Sequence, residues 1–151
     1  MTEAALRDGR HEDPTCAAQA DLRVLKDASG RDEMELDGVV AGDNKAFVLS
    51  HKNSYEGAGM IIEIEDKAQI IKDKSTQAKY AGTPYEQFKG KEVVPVFMAE
   101  NTGKLNTAAR DKCHKLGVRL YRRDRSAIQP WAHLKQSARA AAPASTMRWV
   151  L

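Results

Sequence analysis

Long apolar runs are missing from this chain, and nothing in it approaches the ~20 residues a bilayer-spanning helix needs. Its opening residues, Met1-Thr2-Glu3-Ala4-Ala5-Leu6-Arg7-Asp8, also lack the basic and apolar segments of a secretory signal. The expectation is an intracellular protein, cytoplasmic or nuclear, without a membrane partner. Cysteine is scarce: Cys16 and Cys113 are the only two, and in that compartment they are expected as reduced thiols. Neither has a ligand at zinc-finger spacing, and the adjacent Cys113-His114 has the wrong geometry for one metal. No internal repeat is visible.

What is present fits one soluble domain. A chain of 151 residues that is 42% hydrophobic and 30% charged can bury a sizeable core. Its net charge of +3 hides an asymmetry. Residues 1–100 carry 13 Lys and Arg against 19 Asp and Glu, whereas residues 101–151 carry 11 against 2. A basic half suits a polyanion, so Lys104, Arg110, Lys112, Lys115, Arg119, Arg122, Arg123 and Arg125 are candidate contacts to nucleic acid, with DNA the expected partner. A basic C-terminal tail that only aids solubility has the same composition.

The most informative stretch runs from Glu35 to Lys52. Val39-Val40 and Phe47-Val48-Leu49 are strand formers, and Gly42-Asp43-Asn44-Lys45 between them has the chemistry of a tight turn. With Asp43 and Asn44 as the loop pair, Asp37 falls opposite Ser50 and Glu35 opposite Lys52. Alternation then puts Glu35, Asp37, Ser50 and Lys52 on one face, a frame for a divalent metal and an activated water. The same patch reads equally as a solvated face with an ordinary Glu35–Lys52 ion pair. His51 is expected on the opposite face as a satisfied core histidine.

The rest of the chain follows by pattern. Residues 1–20, polar and broken by Pro14, predict a frayed arm or short helix, and Asp21 to Lys26 alternates like a strand. Ile61, Ile64, Ala68, Ile71, Ser75 and Ala78 predict a helix from about Met60 to Tyr80. Tyr85 to Gly90 reads as a connector. Glu92 to Ala99 predicts a buried strand whose Pro95 asks for an edge or a bulge. Asn106 or Thr107 caps a second helix closed by Gly117, and Val118 to Tyr121 is a last short strand. Beyond Arg122 the pattern dissolves into an Ala-, Pro- and Ser-containing tail holding Trp131 and Trp149. The expected class is α/β, a mixed sheet in the order strand, hairpin, helix, strand, helix, strand with helices on its faces.

That order, with Asp37 on the second strand and Lys52 closing the third, resembles the PD-(D/E)XK nuclease superfamily, the restriction-endonuclease-like fold. Glu35-Leu36-Asp37-Gly38-Val39-Val40 is similar to the family's Asp-bearing strand, and Phe47-Val48-Leu49-Ser50-His51-Lys52 to its (D/E)-x-K strand. The compact Glu-x-Asp-Gly hairpin also resembles nuclease domains of Crinkler-type effectors, and Gln77-Ala78-Lys79-Tyr80 is similar to the Gln…Tyr helix motif of exonuclease members. The resemblance covers roughly residues 21–122, leaving 1–20 as an arm and 123–151 as a basic tail. Two departures stand out. Ser50 occupies the second acidic position, and residues 1–20 offer no evident counterpart of the family's first helix.

The resemblance implies a metal-dependent nuclease acting on phosphodiester bonds. Asp37 and a carboxylate of the following helix would hold Mg²⁺ or Mn²⁺, Glu65 first and Glu63 second, with Asp66 pointing away. Lys52 would orient the water, Ser50 would act as a neutral support, and Glu35 as an outer partner or second ligand. Those acids are equally ordinary for the first turns of a helix. The competing reading is a nuclease-fold module that binds nucleic acid or protein without cutting, and Ser50 is the residue that favours it.

Overall fold

The computed structural model describes residues 1–101, 105–124 and 127–130. Its core grows from the expected turn. Gly42 N–H donates to Lys45 O at 2.8 Å, leaving Asp43 and Asn44 as the two-residue loop. The flanking strands, β4 (Gly38–Ala41) and β5 (Lys45–Ser54), pair antiparallel with Val40 opposite Phe47 and Gly38 opposite Leu49. The turn is held from outside by one carboxylate. Asp13 accepts from the amides of Asn44 and Lys45 at 2.9 and 3.0 Å, and from the Thr15 hydroxyl at 2.6 Å. Gly42 is required for this approach, since a Cβ there would sit 2.5 Å from both Asp13 Oδ2 and Thr15 Oγ1. The Thr15 hydroxyl first, then the amides of Asn44, Thr15 and Lys45, draw the Asp13 carboxyl down to about 2.

The molecule is mixed α/β, with helices on both faces of a mixed sheet. Counting β1 (Ala17–Ala18), β6 (Glu92–Asn101), β7 (Arg119–Asp124) and β8 (Ala127–Pro130), the described sheet has six strands ordered β1-β4-β5-β6-β7-β8. β5, β6 and β7 run parallel, and their neighbours on either side run antiparallel. Strand alternation sends side chains to two cores. On one face Val39, Val48, Phe97 and Leu120 meet Ile61, Ile64 and Ile71 of α2 (Ala58–Ser75) and Cys113 of α3 (Thr107–Leu116). On the other, Val40, Phe47, Val96 and Tyr121 meet Ala4 and Ala5 of α1 (Thr2–Glu12). α3 carries the expected caps: Asn106 accepts from Ala109 N–H at 2.9 Å, and Gly117 closes the helix at φ 71°.

Several expectations are corrected. Of the two forms expected for residues 1–20, the helix is the one found: α1 is docked on the sheet, through a buried face so small (Ala4, Ala5, Gly9) that its burial escapes a reading based on large apolar residues. It is pinned by Asp8, only 2% exposed, which accepts from Tyr121 OH at 2.6 Å and Arg7 Nε at 3.0 Å. The strand expected at 21–26 is a 3-10 turn (Ala20–Leu22) followed by β2 (Val24–Lys26). The expected two-strand hairpin is broken, because β3 (Asp32–Glu35) pairs with β2 in a separate two-stranded sheet. α2 stops at Ser75, so Gln77 lies outside it and Tyr80 falls in a 3-10 turn (Ala78–Tyr80). The connector at 85–90 contains a 3-10 helix (Pro84–Phe88) that buries Tyr85 and Phe88. Pro95 sits in a central strand without a bulge toward β5; pairing with β7 begins only at Val96, so no β7 carbonyl is left wanting its missing N–H. β8 continues the sheet past the point where the sequence pattern fades.

Candidate functional site

The candidate residues gather at the carboxyl end of β5, where the hairpin comes apart. Asp37 N–H donates to Leu49 O at 2.9 Å, although Leu49 already faces Gly38, so the pairing slips by one residue at Asp37. The Asp37 carboxylate then accepts from His51 N–H at 2.7 Å, standing in for the backbone acceptor that a continued strand would offer. Beyond it the chain turns away. Leu36 N–H donates to Arg23 O at 2.7 Å, and Glu35 lies opposite Val24. Glu35 therefore does not face Lys52, because the slip at Asp37 redirects the strand into the second sheet. Asp37 remains exposed beside the Ser50–His51–Lys52 segment.

Along β5, Ala46 and Val48 belong to the α2-facing core, and alternation carries Ser50 and Lys52 to that face. Ser50 is 7% exposed and sits opposite Phe97 of β6. Lys52 Nζ reaches Glu63 Oε1 of α2 at 4.0 Å. Glu63 Oε1 also meets Lys67 Nζ at 3.5 Å, one helical turn on, and Lys67 Nζ donates to Glu35 O at 3.0 Å. Glu63 and Lys67 thus form the flank of α2 that faces the Asp37 segment. Glu65 occupies the other flank, lining an open cleft with Gln69, Glu92, Leu116 and Arg119. The helix carboxylate beside Lys52 is Glu63, the reverse of the expected order. His51 does lie on the opposite face, but half-exposed, with Nε2 2.9 Å from Glu100 Oε1.

Among the described residues, the basic candidates are spread over several elements. Arg119 is committed to Glu12 of α1 through contacts of 2.8 and 3.2 Å, and Lys45 joins Glu12 at 2.8 Å. Burial pushes the Glu12 carboxyl up, but the hydrogen bonds and charges of Arg119 and Lys45 outweigh it and leave it below its ordinary value. That cluster braces the amino-terminal end of the parallel strands. Arg122, at the other end, stands in register with Ala99 and, through it, Lys52. Arg110 donates to Thr107 Oγ1 at 3.3 Å, and Lys112 and Lys115 lie on α3. Arg123 lies on β7 opposite Ile128. Lys104, Arg125, Trp131 and Trp149 lie outside the described residues.

No family model, no curated protein and no solved structure matches this chain. Its chemistry is therefore argued from the residues. Among the described residues no three His, Cys, Asp or Glu side chains group as metal ligands. Two carboxylates, Asp37 and Glu63, flank the Lys52 segment, and Mg²⁺ is commonly held by one or two carboxylates with waters and substrate phosphates completing its shell. That donor set fits Mg²⁺ or Mn²⁺. The cysteines take no part: both are buried free thiols, pushed up by burial to about 11 (Cys16) and about 12 (Cys113). Two residues of the neighbourhood were missed in sequence. Lys67 was signalled by its spacing of four from Glu63, whereas Arg23 had no signal, since only the slip at Asp37 brings it near.

Proposed function

We propose that the carboxyl end of β5 is a phosphodiester-hydrolysing site of restriction-endonuclease-like kind, acting on DNA, with Glu63 supplying the carboxylate that Ser50 lacks. The observation that carries this reading is Lys52 Nζ at 4.0 Å from Glu63 Oε1, on the strand whose His51 amide is held by Asp37. Asp37 and Glu63 would hold Mg²⁺ or Mn²⁺, and such an ion, when bound, acidifies a water and polarises a phosphoryl oxygen. Lys52 would orient the attacking water and balance the charge that builds on the phosphate. Lys67 restrains Glu63 from the next turn of α2. Ser50, buried and neutral, keeps the strand end packed and carries no charge for the chemistry.

The test is nicking of plasmid DNA with Mg²⁺ or Mn²⁺. Asp37→Asn and Glu63→Gln should each abolish cleavage, Lys52→Ala should slow it about 10²-fold or more, and Glu65→Gln should leave it intact. Full activity in Glu63→Gln overturns the relocated carboxylate. A second reading, a non-cutting module, is favoured by one observation: Glu63 is already shared by two ammonium groups, Lys52 and Lys67. A wild type that binds DNA but is neither active nor thermally stabilised by Mg²⁺ selects it.

A further inference from the structure

We infer that the cleft beside Asp37 takes one nucleotide unit of a nucleic-acid strand, with Arg23 holding its phosphate. The inference deepens the phosphodiester reading and rests on it for the identity of the ligand. The slip at Asp37 and the Leu36–Arg23 backbone bond bring the start of β2 against the link between β3 and β4. Between them opens a cleft of about 380 Å³ lined by Ala20, Arg23, Val24, Glu35, Leu36 and Asp37. That volume lies within the range of about 300–1,000 Å³ usual for small-ligand sites.

Arg23 is the cleft's one cation, is exposed, and has no side-chain partner among the described residues. A guanidinium offers paired N–H donors that match two phosphate oxygens. Glu35 and Asp37 share the lining, which disfavours a bare phosphate dianion. A nucleotide unit suits the mixture better: it brings a single diester charge to Arg23, and sugar or base donors for a carboxylate to accept. Because Asp37 belongs both to this cleft and to the Lys52 segment, the unit bound here is the neighbour of the phosphate presented to Lys52. Arg23 is thus a substrate-positioning residue.

Fluorescence anisotropy of a short labelled single-stranded DNA, measured across a salt series, tests this. Arg23→Ala should weaken binding about tenfold and flatten the log-affinity against log-salt slope by about 0.7, one phosphate contact. Arg23→Lys should keep the slope while losing part of the affinity, and Arg31→Ala, in the β2–β3 turn, should change neither. Inorganic phosphate should compete poorly. An unchanged slope in Arg23→Ala, with melting temperature unaltered, overturns the subsite. Cleavage read in parallel separates the two proposals. If the wild type cuts and Arg23→Ala alters neither slope nor KM, the subsite alone falls. If the wild type never cuts yet Arg23→Ala lowers the slope, hydrolysis falls and the subsite stands.

Discussion

Ser50 decides more than its size suggests. Placing glutamate there would supply the second acidic residue that the sequence resemblance calls for, but the position is 7% exposed and faces Phe97 across the β5–β6 ladder. A carboxylate driven into that packing loses its hydration, so Ser50→Glu should lower stability by more than about 2 kcal/mol in urea denaturation. Mg²⁺ should recover part of the loss only if the new group reaches an ion shared with Asp37. A Ser50→Glu variant as stable as wild type without metal would show that the strand end opens freely, and that Ser50 is not held by its packing.

Among the elements, the β4–β5 turn is the most exactly specified. Its stability should depend on Asp13 in acid. The folded carboxyl sits at about 2 against an ordinary 3.8, so its contribution is complete above about pH 4 and is lost as pH falls toward 2. Asp13→Asn should remove that portion of the pH dependence, read as a thermal midpoint that no longer drops across this window. This turn was legible in sequence because Gly-Asp-Asn-Lys between apolar strands has few alternatives. α2, α3 and β6 were legible for a similar reason: apolar spacing and caps agree. α1 was not, because Ala4, Ala5 and Gly9 make a buried face without large side chains. Glu35 was misplaced because register was extended from the turn without allowance for a slip, and nothing local to Asp37 announces one. The apolar stripe of α2 located its buried face but could not say which flank meets α3, and so could not place Glu63 beside Lys52 and Glu65 on the other side.

At the scale of the molecule, the sheet has a core on each face, and on the α1 side the helix is tied to β7 by Asp8–Tyr121 and Glu12–Arg119. Tyr121→Phe leaves Asp8 without its 2.6 Å donor in a region almost closed to water. It should cost about 1–3 kcal/mol in urea denaturation. An unchanged midpoint would mean that the other partners of Asp8, Arg7 among them, satisfy the carboxylate. The same contact has a consequence during synthesis. Asp8 and Tyr121 are separated by 113 residues, and Glu12 and Arg119 by 107. At roughly 5–20 residues per second, a ribosome delivers the second partner about 5–20 s after the first. For that interval the sheet face that α1 will cover has its helix but lacks the β7 contacts, and nascent chains of this protein should be at their most vulnerable to proteases and to one another just before β7 leaves the exit tunnel.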